Sequence, residues 1–244
     1  MVLLGTGGYH PSNERQTACM MLPELGIILD AGTAMFRVRE YIQTAELHIF
    51  LSHAHLDHVF GLTGLFDILH EREVGRVVVH GDAQKLTDIQ QHLLDRSLFP
   101  VPLPCEWQPL DGPTSLPDDG QLTYFPLVHP GGSLGFRLDW PGHSLAYVTD
   151  TIADPQAPYV ERIQDVDVLI HECYFPDSRV QLAQLTGHSC ATPVAQVARA
   201  ARAGRLILVH ANPLSRPEAP FDIDTIRRIY PHVTAGYDGL EVVF

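Results

Sequence analysis

The run His53-Ala54-His55-Leu56-Asp57-His58 constrains this chain more than any other segment. It follows directly on an apolar, β-branched stretch, residues 48–51, that reads as a strand. A turn leaving a strand can aim His53 and His55 to one side and Asp57 and His58 to the other, serving two adjacent cations. Later strand-like runs end in the same way. His129 closes residues 122–128, Asp150 follows residues 145–148 and Thr149, and His210 closes residues 206–209. Taken singly, each of these is an ordinary loop or core residue. Four strands that deliver His or Asp at their C-terminal ends are a candidate site. Converged without cations, the two carboxylates would lie in a partly desolvated pocket at a cost of roughly several kcal/mol. Imidazole and carboxylate donors in this number suit zinc, with manganese or iron as alternatives.

Further strand-like runs, mostly bounded by Gly, Pro or Asp, fall at residues 2–4, 27–29, 77–79, 134–138 and 166–170. Apolar residues at helical spacing mark residues 35–42, 62–70, 83–96 and 192–203. In the last of these, Thr192 reads as the N-cap, Pro193 as the first helical residue and Gly204 as the terminator. Residues 99–117 hold six prolines and read as an irregular connection. Strands in both halves with helices between them imply two sheets packed together and covered by helices, in one domain over residues 1–244.

Hydrophobic residues at 45% and charged residues at 18% supply a substantial core and argue against disorder. No apolar run is long enough to span a membrane, and the opening Met1-Val2-Leu3-Leu4-Gly5-Thr6-Gly7-Gly8 reads as a strand and turn, not a signal peptide. With 16 Lys+Arg against 29 Asp+Glu the formal charge is −13, which disfavours long-range attraction to nucleic acid or anionic lipid. Four dispersed cysteines without a C-x-x-C favour reduced thiols and a cytoplasmic setting.

The ligand pattern resembles that of the metallo-β-lactamase-fold hydrolases. The resemblance runs from Gly5 to about Asp238 and implies an α/β fold, a four-layer αβ/βα sandwich of two mixed sheets packed face to face. It implies two divalent metal ions, Zn2+ before Mn2+ or Fe2+. His53, His55 and His129 would hold one, Asp57, His58 and His210 the other, and Asp150 would bridge them. Within the superfamily, three segments are similar to the ribonuclease Z-like group. These are Gly5-Thr6-Gly7-Gly8 with Asn13-Glu14-Arg15 and Asp30-Ala31-Gly32-Thr33, then His171-Glu172-Cys173-Tyr174, then Gly187-His188-Ser189-Cys190. The resemblance implies phosphodiester cleavage by a metal-bridging hydroxide that Asp57 can orient. His188, paired with Glu172, would contact the phosphate or protonate the leaving oxygen.

Two departures argue against a transfer-RNA 3′-processing enzyme. Such enzymes carry a long arm between the third metal histidine and the bridging aspartate, whereas His129 and Asp150 here leave room only for a hairpin turning at Pro141-Gly142-His143. The negative charge points the same way, because phosphate contacts dominate RNA affinity. The expected substrate is therefore a small phosphodiester or nucleotide, or a short RNA. No membrane association and no stable nucleic-acid complex are expected, and the resemblance is compatible with a homodimer. Ester, lactone or thioester hydrolysis by the same fold is the alternative, and a metal-binding scaffold without activity comes third. True β-lactamases place cysteine where this chain has Asp150, and the di-iron flavoproteins replace the histidine found here at His55. Other polar residues carry no site of their own. His80 reads as structural, Arg37 and Arg39 as solvated, Asp238-Gly239 as a turn, and Cys173 and Cys190 as buried thiols.

Overall fold

The computed structural model describes all 244 residues. Six strands come first: β1 (Val2–Gly5), β2 (Cys19–Leu22), β3 (Ile27–Leu29), β4 (Glu46–Phe50), β5 (Arg76–Gly81) and β6 (Glu106–Pro109). Seven follow: β7 (Thr114–Leu116), β8 (Gly120–Leu127), β9 (Ser133–Trp140), β10 (His143–Val148), β11 (Val168–Glu172), β12 (Arg205–Val209) and β13 (Val233–Ala235). The last is β14 (Leu240–Glu241). They form two mixed sheets of seven strands, ordered β14-β1-β2-β3-β4-β5-β6 and β13-β12-β11-β10-β9-β8-β7. With their helices these sheets supply the elements of the α/β fold that the sequence resemblance implies. The chain divides into two compact units, Met1–Asp111 with Tyr237–Val243, and Gly112–Gly236 with Phe244. No helix is long and apolar enough to cross a membrane.

In the first unit β3, β4, β5 and β6 run parallel, and Leu29, Phe50 and His80 stand in register at their C-terminal ends. Leu47, Ile49 and Leu51 alternate onto one face and pack with Val77 and Val79 against Met35, Val38, Leu62, Leu65 and Ile68. The other face carries His48, Phe50, Val78 and His80. Phe50 and Val78 are wholly buried there too, which explains why these strands read as near-continuous apolar runs. In the second unit β10, β11 and β12 run parallel, with Val148 beside His171 and Glu172 beside Val209. Helix Ala191–Ala200 lays Ala191, Val194, Ala195, Val197 and Ala198 into the core with Leu169, Leu206 and Leu208. Each sheet therefore delivers its strand-end loops at one common level.

Several expectations need correction. Residues 99–117 are not wholly irregular, since they contain β6 and β7. Both are outermost strands of their sheets, where a proline such as Pro109 removes no ladder hydrogen bond that the sheet needs. Thr192 does not cap its helix. Cys190 holds the N-cap position, and Asp177 instead accepts from Thr192 N at 2.9 Å and Thr192 Oγ1 at 2.6 Å. The stretch from Ala83 is α-helical only to Asp88 and continues as a π turn over Ile89–Leu93. Arg37 is no solvated bystander, because its Nη1 donates to Asp238 Oδ2 at 2.6 Å. Asp238, read as a turn residue, also accepts from Thr6 N, Thr6 Oγ1 and Gln16 N, and so anchors the first loop. The β9–β10 hairpin forms as expected, with Gly142 at φ +94°. His143 is half-buried, stacked on Trp140.

His80 is buried between Phe50, on which it stacks at 4.5 Å, and His48, whose Nδ1 lies 3.0 Å from His80 Nε2. Burial, with His48 and Arg76 adding to it, pushes the His80 pKa down from 6.5 to about 4. An unfolded chain takes up this proton near pH 6.5 and the folded one only near pH 4. The stability that His80 contributes is thus complete above pH 6.5 and is lost as the pH falls toward 4, by about 3 kcal/mol. Urea denaturation of wild type and His80→Gln at pH 7 and pH 5 should show a visibly flatter pH dependence in the variant. Parallel curves would refute the assignment.

Candidate metal centre

In the first unit the chain leaves β4 and passes through Leu51 and Ser52 into the histidine run. Helix Leu56–Val59 begins within that run, with His55 in the N-cap position. The rings of His53 and His55 lie 4.5 Å apart between centroids, and those of His53 and His58 lie 4.3 Å apart. His58 Nε2 lies 3.5 Å from Asp57 Oδ2. All four expected residues of the run are therefore neighbours. The loop is held from beneath by the turn after β3, where Ala31 N donates to His58 O and Gly61 N to Ala31 O. A side chain at Gly32 would place its Cβ 2.2 Å from Asp57 O, so only glycine permits this approach.

Periodicity gives no hint of the role played by Asp30. Its wholly buried carboxylate accepts from Ser52 N at 2.7 Å, Ser52 Oγ at 2.9 Å and His58 Nδ1 at 2.8 Å. That contact fixes the His58 ring with Nε2 turned away from Asp30, the arrangement of a carboxylate behind a metal histidine. Ser52 Oγ also lies 3.0 Å from His53 Nδ1. Tyr9 is a second residue missed. It holds φ +63°, its N–H donates to Asp57 Oδ2 at 2.7 Å, and its side chain is 74% exposed.

In the second unit Asp150 stands between two histidines. Its Oδ2 lies 3.5 Å from His129 Nε2 and its Oδ1 lies 3.2 Å from His210 Nε2. A carboxylate with one oxygen toward each of two imidazoles is suited to bridge two cations. His129 is aimed by its other nitrogen, Nδ1 donating to Gly187 O at 2.9 Å. Gly187 takes φ +75°, and a Cβ there would meet His129 Nδ1 at 2.9 Å.

His188 follows at once. Its Nδ1 lies 3.1 Å from Glu172 Oε1, and its ring stacks with His210 at 5.2 Å and with Tyr174 at 4.6 Å. Glu172 is wholly buried and also accepts from Thr151 N at 2.8 Å and Ser189 N at 3.3 Å. Its contacts place it behind the His188 ring. One donor atom each from Glu172, His188 and His210 lies within 4.8 Å of the others. The His and Asp side chains of the fold thus form groups that could hold a divalent metal ion.

Residues 27–211 match the family profile described as the Beta-lactamase superfamily domain. The chain belongs to that superfamily. A Ribonuclease Z of Acaryochloris marina is 26% identical over 98% of this chain and 96% of its own length. That alignment runs over 305 positions, more than the 244 residues here, so it includes gaps in this chain. Among solved structures, the metallo-β-lactamase fold protein YhfI of Bacillus subtilis superposes with a TM-score of 0.79 at 19% identity, over 98% of this chain and 97% of its own. Human tRNase Z, short form, superposes with a TM-score of 0.73 at 23% identity, over 98% and 96%. These likenesses support the expected fold, the ribonuclease Z-like kinship and a metal-dependent hydrolase.

Within this superfamily member, removing the Asp30 charge tests whether the carboxylate behind His58 matters for ligation. Asp30→Asn should lower divalent-metal affinity by roughly 10- to 100-fold. Metal content by mass spectrometry after dialysis against a graded chelator, with far-ultraviolet circular dichroism as the folding control, reads this directly. Unchanged retention in a folded variant would remove Asp30 from the centre.

Proposed function

We propose that this metal-dependent hydrolase cleaves a phosphodiester in a small nucleotide-derived substrate or a short RNA. Two divalent cations would be held by seven side chains, His53, His55 and His129 on one, Asp57, His58 and His210 on the other, with Asp150 shared. The donor set, five imidazoles and two carboxylates, fits zinc before manganese or iron. Residues 1–244 would act as one functional domain. The chemistry such cations would supply is polarisation of phosphoryl oxygens and a lowering of the pKa of water to about 7.

The observation that carries the reading is the His188–Glu172 pair beside Asp150 and His210. With Nδ1 committed to Glu172, the proton that His188 can hand to a departing alkoxide sits on Nε2. The buried Glu172 carboxylate balances the charge of the protonated ring and holds its plane. Asp57, which accepts from the Tyr9 N–H, would orient the attacking water. Ester and lactone hydrolysis need no such proton donor as strongly as an alkoxide leaving from phosphorus does. The formal charge of −13 favours small substrates over long RNA, whereas the name of the Ribonuclease Z relatives supports an RNA-derived one. Four cysteines without a disulfide support a reducing, cytoplasmic setting.

Asp150→Ala should lose at least one metal equivalent and all turnover, read by metal analysis beside a kinetic assay. His188→Ala should keep both metals yet cleave a dinucleoside monophosphate, whose alkoxide must be protonated to leave, roughly 10²- to 10⁴-fold more slowly, with a much smaller effect on bis(p-nitrophenyl) phosphate, whose phenolate leaves unaided. Turnover of p-nitrophenyl acetate or a lactone alone, indifferent to His188→Ala, would overturn the phosphodiesterase reading.

A further inference from the structure

A cavity of about 330 Å³ adjoins the His188 ring stack, and Tyr174 belongs to both. The Tyr174 ring stacks on His188 with 19° between planes and lies 5.5 Å from His210, while its side chain also lines the cavity. Phe175 and Phe221 add apolar wall, and Ser215, Arg216 and Asp222 add polar groups. The segment that supplies Ser215 to Asp222 runs on directly from His210. One stretch of chain therefore connects a proposed metal ligand to the cavity.

Asp222 occupies the N-cap position of helix Ile223–Ile229, where an aspartate ordinarily accepts N–H groups of the first turn. Here its side chain makes no such bond. Asp82, at the same position before helix Ala83–Asp88, does accept from Gln84 N and Lys85 N, at 3.0 and 3.1 Å. Asp222 is instead among the residues that line the cavity. Asp224 lines it as well, so a bare anion is a poor occupant despite Arg216.

We infer that this cavity is a base-recognition pocket, selective for guanine, on the substrate of the proposed phosphodiesterase. The inference rests on that reading for the position of the scissile phosphate. Aromatic walls suit a flat base, as in recognition of splayed nucleotides by stacking and edge hydrogen bonds. A carboxylate accepts two adjacent donors best, and guanine alone among the four common bases presents two, N1–H and the exocyclic amino group. Adenine and cytosine pair a donor with an acceptor on that edge, and the single N–H of uracil is flanked by two carbonyls that a carboxylate repels. The guanidinium fork of Arg216 matches guanine O6 and N7.

The test uses the full-length, zinc-loaded protein and isothermal titration with guanosine and uridine 5′-monophosphates, which share one phosphate. The guanine nucleotide should bind at least about 10-fold more tightly, and Asp222→Asn should erase most of that difference, weakening the guanosine nucleotide without weakening the uridine one. Asp222 is exposed, so the variant should fold, and circular dichroism checks this. Equal binding of the two nucleotides, binding of neither, or a guanine preference unmoved by Asp222→Asn would overturn the pocket. Binding is read without turnover. Guanine selectivity in a protein that does not hydrolyse bis(p-nitrophenyl) phosphate would refute the reaction and keep the pocket. Hydrolysis without selectivity would do the reverse.

Discussion

Three buried carboxylates govern what the rest of the chain must do. Asp30, Asp150 and Glu172 are each 2% exposed or less, and each stands at or just beyond the C-terminal end of a strand. A carboxylate taken out of water is tolerated only where donors or cations meet it. Each of these meets imidazole: Asp30 with His58, Asp150 with His129 and His210, Glu172 with His188. Backbone N–H groups of Ser52, Thr151 and Ser189 complete the set. Strand register within each sheet is what brings acid and base to the same level, so the apolar cores serve a polar constraint.

Much of the centre is legible because it obeys a positional rule. His53 to His58, His129, Asp150 and His210 follow apolar runs directly, and apolar runs are what periodicity detects. Glu172 and His188 lack that signal, since a glutamate ending one strand and a histidine entering a helix are individually commonplace; only the resemblance joined them. Asp30 falls in a segment that resembles the family, yet its pairing with His58 spans 28 residues and no local pattern encodes it. Both sheets and most strands were likewise legible. The outer strands β6 and β7 were not, because proline marks turns and sheet margins alike. Thr192 looked like a cap because its sequence context was right, but a distant Asp177 took that role.

Asp30, Asp150 and His210 share a second property, positive φ angles of 59°, 43° and 59°. Outside glycine this region costs free energy, and Asn, Asp and His enter it more readily than other residues. The residue types that bind or brace a metal are thus also those that permit an abrupt exit from a strand. Hydrogen bonds hold these corners, among them Thr149 Oγ1 to Asp150 Oδ1 at 2.7 Å. At these strand ends a residue other than Asn, Asp or His would lose both the polar donor atom and the corner.

The return of residues Tyr237–Val243 to the first unit has a consequence for biosynthesis. The chain's last strand, β14, pairs with β1, and Asp238 anchors Thr6, Gln16 and Arg37. On the ribosome the first 111 residues emerge early, yet β1 waits with an open edge until Tyr237–Val243 is made. Nearly all of the second unit therefore emerges before that segment, and the Tyr9 loop beside Asp57 is secured only when it has followed. The first unit, with its histidine run, matures last.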